Sequence, residues 1–197
     1  MHPDLSTRMR WLQEHRNLPM APLDAEIERR LQAGATASSS SFSLLPYLSY
    51  VPAQRNQGNC GDCWVWASTG MAEIALSAQY GLKDRLSIQY FNSCWSGNQP
   101  CCGGNLSDFT QWYNTQKILV PWSNTGGAYK DGSAPSCPPT VGCATVSVAP
   151  HYDFQVMTPQ NISTYGAGQA TAIANIKNVL NQNKAVGFSF YTSFGDS

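Results

Sequence analysis

The residues best suited to chemistry in this sequence lie in one short stretch, Gln57-Gly58-Asn59-Cys60-Gly61-Asp62-Cys63-Trp64. A cysteine attacks carbonyl groups as its thiolate, and an unperturbed cysteine has a pKa of about 8.5. At the first turn of a helix, free N–H groups and the positive end of the helix dipole favour that anion. The side-chain amide of Gln57 and the backbone N–H of Cys63 could then donate to a developing oxyanion. We therefore predict that Cys63 is a nucleophile and that Gln57 assists it.

The cysteine count predicts one reactive thiol among disulfides. All seven cysteines lie between residues 60 and 143: Cys60, Cys63, Cys94, Cys101, Cys102, Cys137 and Cys143. An odd number leaves at least one of them unpaired, and three disulfides with one free thiol is the simplest partition. Disulfides persist in oxidising surroundings, so we expect a secreted, periplasmic or lysosome-like location.

Two other uses of these cysteines stay open at this point. Cys60-Gly61-Asp62-Cys63 is a C-x-x-C, as in thiol redox modules. Such sites usually have an aromatic residue before the first cysteine, whereas Trp64 follows the second. A zinc site could use Cys60, Cys63, Cys101 and Cys102, but two adjacent cysteines are poorly placed for tetrahedral ligation and no second C-x-x-C is present.

The element that must position Cys63 is an apolar helix, which we predict over Cys63–Tyr80 with Gly81 as its C-terminal cap. Shorter helices are predicted at Ser87–Phe91, Ser107–Thr115 and Ala170–Asn181, followed by a strand at Val186–Tyr191. Residues 121–150 are rich in Pro, Gly, Ser and Cys, which is typical of an irregular segment held by disulfides.

The first 42 residues have a different pattern. Leu5, Met9 and Leu12 recur at helical spacing, which predicts an amphipathic helix over Leu5–His15. A second helix follows Asp24, a suitable N-cap, with apolar residues at 23, 27 and 31. The residues 18–22 between them, Leu-Pro-Met-Ala-Pro, predict an extended stretch. The small residues of 35–41 predict a flexible linker before the main domain.

Composition argues against several classes of partner. Twelve basic and twelve acidic residues give a formal net charge of zero, and no Lys/Arg cluster points to a nucleic acid. No apolar stretch approaches the roughly 20 residues that span a bilayer. The first six residues lack the apolar core of a signal peptide, so either a signal was removed or export is not involved.

The stretch around Cys63 resembles the active-site motif of the papain family of cysteine peptidases: Gln57-Gly58-x-Cys60-Gly61-x-Cys63-Trp64. Further similarities follow in the family's order, from Leu45-Pro46 through Ser87-Ile88-Gln89 to Cys94 and then Cys101-Cys102-Gly103-Gly104. The resemblance covers about residues 43–191. It implies an α+β, two-domain papain-like fold, with the helical left domain complete and the β-rich right domain incomplete in this chain.

The resemblance also implies roles. Cys63 would be the nucleophile, Gln57 the oxyanion donor and Trp64 packing behind the nucleophile. The residues expected beside the substrate are Gly103, Gly104, Asn105 and Leu106. Glycines there let an extended peptide lie close to the backbone. No cofactor and no metal is implied.

The disulfides implied by the resemblance are Cys60–Cys101 and Cys94–Cys137, which leaves Cys102 and Cys143 as a third pair. Residues 1–42 would be a prosegment that inhibits the enzyme, with residues 17–35 along the cleft, and residues 43–197 the catalytic domain. One departure from the family is Asp62, in place of the usual serine. A carboxylate there would raise the pKa of the thiol unless it faces away.

A thiol protease needs a histidine as its base, and this sequence contains His2, His15 and His151. By the family's order the catalytic histidine and its asparagine would come after Tyr191. The chain could therefore be one part of a cleaved precursor whose second chain supplies the base, a piece of a longer protein, or a rearranged site that uses His151. We expect a cysteine endopeptidase precursor that acts on peptides or proteins. An inactive papain-like binding protein is the main alternative.

Overall fold

Helices dominate the regular structure of the computed structural model, which describes residues 4–33, 42–97, 99–133, 142–155 and 157–188. Its α-helices are, in chain order, α1 Leu5–Arg16, α2 Ala25–Gln32, α3 Cys63–Tyr80, α4 Ile88–Cys94, α5 Leu106–Gln116 and α6 Gln169–Asn181. Strand β1, Ile118–Leu119, pairs antiparallel with β2, Tyr152–Asp153. Short 3₁₀ turns lie at Leu45–Tyr47, Pro52–Gln54, Pro100–Cys102, Asp131–Ser133 and Cys143–Thr145. The α+β class predicted from the sequence is confirmed.

Local capping residues explain where the predicted helices begin and end. The Ser87 hydroxyl accepts a hydrogen bond from the Tyr90 N–H at 2.9 Å and so starts α4. Asp24 caps α2 in the same way. Gly81 closes α3 in the left-handed conformation, at φ 68°, which a residue without Cβ adopts at little cost. These caps satisfy backbone groups that the helix leaves unpaired, which is why these termini could be predicted from sequence.

The core lies where α3 packs against α4 and α5, and aromatic rings make up much of it. Phe91 of α4 is fully buried. The rings that lie within 5.3 Å of its ring belong to Trp64, Trp95, Phe109 and Trp112. The indole N–H of Trp64 donates to the Pro100 carbonyl at 3.0 Å. The residue after the predicted nucleophile is therefore held from behind by the core, as expected.

The N-terminal segment packs against the rest of the chain through α2 and the stretch before it. Helix α2 lies on α6, and Ile27 is buried between them. Asn178 accepts from the Asp24 N–H and donates to the Asp24 carbonyl, both at 2.9 Å. Met20 forms an isolated parallel bridge with Asn161. The segment is thus attached to the α6 side of the molecule by main-chain as well as side-chain contacts.

Helix α1 forms as predicted, but its expected apolar face is not buried. Leu5 is 74% exposed, Met9 56% and Leu12 40%, and α1 buries none of its residues completely. The helix therefore forms where the spacing predicts it, with its apolar residues largely in contact with solvent. Asp4 caps the helix and accepts from the Thr7 N–H at 2.7 Å, so the helix begins on a local signal instead.

The disulfides differ from the expected set. Cys60 bonds to Cys101, the pairing that the resemblance implies. Cys94 bonds to Cys143, so both the expected Cys94–Cys137 and Cys102–Cys143 pairs are wrong. The reason is that the turn Cys143–Thr145 packs against α4, whose last residue is Cys94, and the two Cα atoms lie 4.6 Å apart. Cys102 is also disulfide-bonded, and Cys137 lies outside the described residues.

Other expectations fall partly outside the described residues. The strand predicted at 186–191 is absent over residues 184–188, which have no regular secondary structure, and its remaining residues are not described. The linker predicted at 35–41 also lies outside the described part of the chain. None of the described helices is both long enough and apolar enough to cross a membrane.

Candidate active site

Cys63 is the first residue of α3, is exposed to solvent, and is the free cysteine of the described part of the chain. The N–H groups of the first helical turn have no partner within the helix, and the helix dipole is positive at this end. Both make the start of a helix a favourable place for a negatively charged group. The helix start therefore provides the environment that a cysteine nucleophile needs.

Gln57 and Cys63 line one open pocket, together with Arg55, Trp66 and Ala67. The Gln57 side-chain amide donates to the Cys60 carbonyl at 2.8 Å. A carboxamide carries two N–H groups, so this bond anchors Gln57 and leaves a second donor for a ligand. The structure thus brings together the two residues that the sequence analysis assigns to catalysis.

The turn between these two residues is tied down on both sides. Gly58 has φ +60°, and a Cβ there would lie 2.2 Å from the Gly132 carbonyl oxygen. The Asn59 N–H donates to the same oxygen at 2.8 Å. On the other side, the Gly61 N–H donates to the Cys101 carbonyl at 3.0 Å, next to the Cys60–Cys101 disulfide. Glycine is required where the turn passes this close to neighbouring backbone.

Asp62, the residue before the nucleophile, points into the protein and away from the pocket. Its side chain is fully buried, and Oδ2 accepts from the Asn92 amide at 2.7 Å. Burial raises the pKa of Asp62 to about 7, and the nearby charge of Asp131 acts in the same direction. The carboxyl thus meets the condition set in the sequence analysis, because it faces away from the open side of Cys63.

Asp62 belongs to a buried polar cluster that the sequence analysis did not identify. The Asn92 amide also donates to Asp131 Oδ2 at 3.0 Å, and Gln89 donates to the same oxygen at 2.8 Å. The Tyr129 hydroxyl lies 2.9 Å from the Gln57 carbonyl oxygen and 3.3 Å from Asp62 Oδ1. The unusual aspartate beside Cys63 was the signal that could have pointed to buried partners, because a buried carboxyl requires hydrogen bonds.

Arg55 is a second residue that the sequence analysis missed. Its guanidinium donates to the Trp66 carbonyl and lies over the Trp66 ring, 5.2 Å from the ring centroid. Next to it, the Tyr50 hydroxyl donates to Glu73, whose pKa is raised by burial. Arg55 therefore supports the pocket wall formed by Trp66 and places a positive charge near the pocket.

The two glycines expected beside the substrate have different surroundings. A Cβ on Gly104 would lie 2.5 Å from the Trp64 indole, so the absence of a side chain there allows close packing on the core. Gly103 has φ +94°, and a Cβ on it would meet the Trp11 indole at 3.5 Å. Asn105 caps α5, and Leu106 is its first residue. Of the pair, Gly103 is therefore the one that faces the N-terminal segment.

Gly103, Gly104 and Asn105 form a surface that we call the glycine wall. Helix α1 of the N-terminal segment lies against it. In addition to the Trp11 contact, the Asn105 amide donates to Glu14 Oε2 at 2.9 Å. The pKa of Asp108, in the first turn of α5, is raised by its burial and next by the charge of Glu14. The contacts with Gly103 and Asn105 thus come from α1, ahead of residues 17–35, which were expected along the cleft.

The two histidines that the structure describes lie outside this pocket. His15 is in the last turn of α1, and it does not line the pocket around Cys63. His151 Nδ1 lies 2.8 Å from the Val148 carbonyl oxygen, and Nε2 lies 3.4 Å from Asp153 Oδ1. Neither is therefore placed to take a proton from the sulfur.

The pairing of Cys60 with Cys101 removes the redox and zinc alternatives for these cysteines. A C-x-x-C redox module would exchange Cys60 with Cys63, but these cysteines are not bonded to each other, and Cys63 is free. A zinc site needs thiolates, and disulfide sulfurs are not thiolates. The disulfides fit an oxidising compartment.

Comparison with known proteins agrees with this geometry. The family model for papain family cysteine proteases matches residues 45–193. Mouse (Mus musculus) cathepsin K is 36% identical over 63 residues, which cover 32% of this chain and 19% of the mouse protein. Chicken (Gallus gallus) cathepsin K is 37% identical over 59 residues, which cover 30% of this chain and 18% of the chicken protein. The matched stretch thus spans about a fifth of these relatives.

Proposed function

Because the chain belongs to the papain family of cysteine proteases, we propose that it carries the nucleophile of a cysteine endopeptidase precursor that acts on peptides or proteins. The observation that carries the proposal is the placement of Cys63. Its free thiol is exposed at the start of α3, and it shares an open pocket with Gln57. This combination places an accessible sulfur next to hydrogen-bond donors.

In the proposed reaction the Cys63 thiolate attacks the carbonyl carbon of the scissile peptide bond. The carbonyl oxygen becomes an oxyanion, which accepts hydrogen bonds from the Cys63 N–H and the free N–H of Gln57. The C–N bond then breaks, the amine leaves with a proton from the general acid, and a thioester remains. Water attacks the thioester, which releases the acid product and restores the thiol.

The reaction needs a histidine that takes the thiol proton and returns it to the leaving amine. Neither His15 nor His151 lines the pocket in the described part of the chain. We propose that this base comes from polypeptide beyond these 197 residues, either the same protein or a second chain. The absence of a base from the described pocket is also what favours the alternative function, an inactive papain-like binding protein.

The N-terminal residues 1–42 are proposed as the prosegment and residues 43–197 as part of the catalytic domain. An extended substrate would lie along Gly103, where no side chain projects. The Trp11 indole occupies this place, and the Glu14–Asn105 hydrogen bond holds α1 beside it. The segment would therefore compete with substrate for the same wall. We propose a secreted, periplasmic or lysosome-like location, in line with the disulfides.

Covalent labelling tests the proposal. The protein is treated, without reduction, with a peptidyl epoxysuccinate, and its intact mass and tryptic peptides are measured. One adduct on Cys63 and none in a Cys63→Ser variant is the expected result. Release of α1 by deletion of residues 1–42 should raise the labelling rate. Absence of any adduct, with the fold intact by circular dichroism, would favour the binding protein instead.

A further inference from the structure

The hydroxyl of the half-buried Tyr129 lies between Gln57 and Asp62, the residues that support the oxyanion site and the nucleophile. We infer that Asp62 and Tyr129 are positioning residues for catalysis, and that the Asp62 carboxyl, acting through the Tyr129 hydroxyl, holds the Gln57 backbone in place. This inference rests on the proposed function of Cys63 and Gln57. It concerns residues that do not touch the substrate.

The single hydrogen of the Tyr129 hydroxyl determines which group donates in each of its two contacts. The Tyr129 hydroxyl has one hydrogen and lies 2.9 Å from the Gln57 carbonyl oxygen and 3.3 Å from Asp62 Oδ1. A carbonyl oxygen can only accept, so the bond to Gln57 uses the Tyr129 hydrogen. The contact with Asp62 is then a hydrogen bond only if Asp62 Oδ1 carries a proton and donates it to Tyr129.

The other oxygen of Asp62 is already occupied. Oδ2 accepts from the Asn92 amide at 2.7 Å, and the second hydrogen of the same amide serves Asp131 at 3.0 Å. Asn92 therefore joins two carboxyl groups that are both fully buried. The nearby charge of Asp131 opposes ionisation of Asp62, which favours a proton on the Asp62 carboxyl.

The groups that contact Asp62 do not favour its ionised form. From α3 its neighbour is the exposed Cys63, from α4 the neutral Asn92, and from the 129–131 stretch Tyr129 and Asp131. None of the ion pairs found among the described residues involves Asp62. Burial without a basic partner stabilises the neutral acid.

Loss of that proton would change what Tyr129 bonds. A buried carboxylate is a stronger acceptor than a carbonyl, so the Tyr129 hydrogen would turn to Asp62 and leave the Gln57 carbonyl. Of the hydrogen bonds that Gln57 makes within the described part of the chain, the one from its side chain to the Cys60 carbonyl would then remain. The second Gln57 N–H would lose a fixed position relative to Cys63.

Two reactions of Cys63 separate positioning of Gln57 from simple access to the sulfur. With a peptide aldehyde, the sulfur bonds to the carbonyl carbon and the thiol proton passes to the carbonyl oxygen, which lies where the oxyanion forms. With a dipyridyl disulfide, the sulfur displaces a pyridinethiolate and no oxyanion arises. Both reagents are used on the complete chain as it exists, at fixed pH.

The Tyr129→Phe variant removes the hydroxyl and keeps the ring. We expect it to lose about tenfold in affinity for the aldehyde, as for one lost buried hydrogen bond, with its disulfide exchange rate within about twofold of wild type. Tyr152→Phe is the matched control, because the Tyr152 hydroxyl donates to a carboxylate, Asp84, at 2.8 Å away from this site. The control should change neither reaction.

Asp62→Asn supplies a rescue test, since an amide can donate to Tyr129 at every pH. We expect Asp62→Asn to keep the wild-type aldehyde affinity below about pH 6 and to exceed it above about pH 8, on either side of the raised pKa of Asp62, whereas Asp62→Ala is weak throughout. Equal loss in both reactions of Tyr129→Phe, or no loss in the aldehyde reaction, would overturn the inference. If Tyr129→Phe does not fold, parallel pH profiles of wild type and Asp62→Asn would overturn it.

If the proposed function is wrong, the aldehyde and disulfide reactions give a different result. Wild-type protein would then react with the disulfide but form no aldehyde adduct, and the inference would fall with the proposed function. Wild-type adduct formation with unaffected variants overturns the positioning roles alone.

Discussion

The buried carboxyl of Asp62 predicts how the stability of the protein depends on pH, apart from any catalytic role. Its side chain is fully buried, and the pKa is raised from 3.8 to about 7, mainly by burial. The folded state therefore binds a proton more tightly than the unfolded state between these two values. The contribution of the protonated Asp62 carboxyl to the free energy of unfolding is fully present below about pH 4. It is lost as the pH rises toward about 7, because ionisation of this carboxyl costs more in the folded protein than in the unfolded one.

The size of the effect follows from that shift. One pKa unit corresponds to about 1.4 kcal/mol, so a rise of about three units is worth on the order of 4 kcal/mol in the free energy of unfolding. Asp62→Asn removes the titration and keeps a hydrogen-bonding group of the same shape. We expect the variant to gain stability relative to wild type by this amount between about pH 4 and about pH 8. Relaxation of the buried cluster would reduce the measured figure.

The assay is urea unfolding followed by tryptophan fluorescence at half-unit steps from about pH 4 to about pH 8, with disulfides intact. Other carboxyls with raised pKa, such as Glu73, contribute the same slope to both proteins, so the difference between the two curves isolates Asp62. Asp84→Asn, which also replaces a hydrogen-bonded carboxyl by an amide but lies outside the Asp62 cluster, is the matched control for the substitution itself. Parallel curves for wild type and Asp62→Asn would refute a proton on the buried carboxyl.

Three further predictions test the turn, the disulfides and the N-terminal segment. Gly61→Ala should lower the free energy of unfolding by about 1–3 kcal/mol in thermal denaturation, because a Cβ there would lie 2.4 Å from a backbone carbonyl oxygen. Cys143→Ser should expose a new thiol at Cys94, counted by alkylation and peptide mapping without reduction. Trp11→Ala should speed labelling of Cys63 by a peptidyl reagent, measured as a second-order rate, because the indole covers Gly103.

Each of these has a control on the same chain. Gly142→Ala should be neutral, since apart from its chain neighbours no atom of the described residues lies within 4 Å of its Cβ position, and equal losses at both glycines would contradict a steric cause at Gly61. Appearance in Cys143→Ser of a new labelled thiol other than Cys94, beside the Cys63 thiol that is already free in wild type, would contradict the disulfide assignment. Leu12→Ala removes a side chain from α1 that is 40% exposed, and it should leave the labelling rate unchanged.

The features that could be predicted from sequence are those fixed by neighbours along the chain. Ser87, Asn105 and Gly81 cap helices through bonds that span three or four residues, so these three helix ends follow from local pattern. Helix α3 has its predicted bounds, whereas α4 continues three residues beyond the predicted end at Phe91. Gln57 and Cys63 are six residues apart and are joined by a tight turn, so their position in one pocket also follows from their spacing. Bonds between residues that are close in sequence can be predicted without knowing how distant segments pack.

The features that escaped prediction depend on distant segments. Cys94 and Cys143 are 49 residues apart in sequence, and only the packing of the Cys143–Thr145 turn on α4 selects their pairing. The Asn105–Glu14 hydrogen bond joins residues 91 apart. The docking of α1 through Trp11 and Glu14 could not be predicted from its apolar stripe, because neither residue belongs to that stripe.

The position of α1 also bears on how the proposed inhibition would work. The described N-terminal residues contact Gly103 and Asn105, yet Cys63 remains exposed with those residues in place. A segment placed in this way would obstruct the path of a peptide and leave the sulfur itself accessible. A small disulfide reagent should therefore react with Cys63 at the same rate whether or not residues 1–42 are present, while a peptidyl epoxysuccinate should react faster once they are deleted. Equal acceleration of both reagents would mean that the segment shields the thiol itself, and the proposed obstruction of the glycine wall by Trp11 would then be wrong.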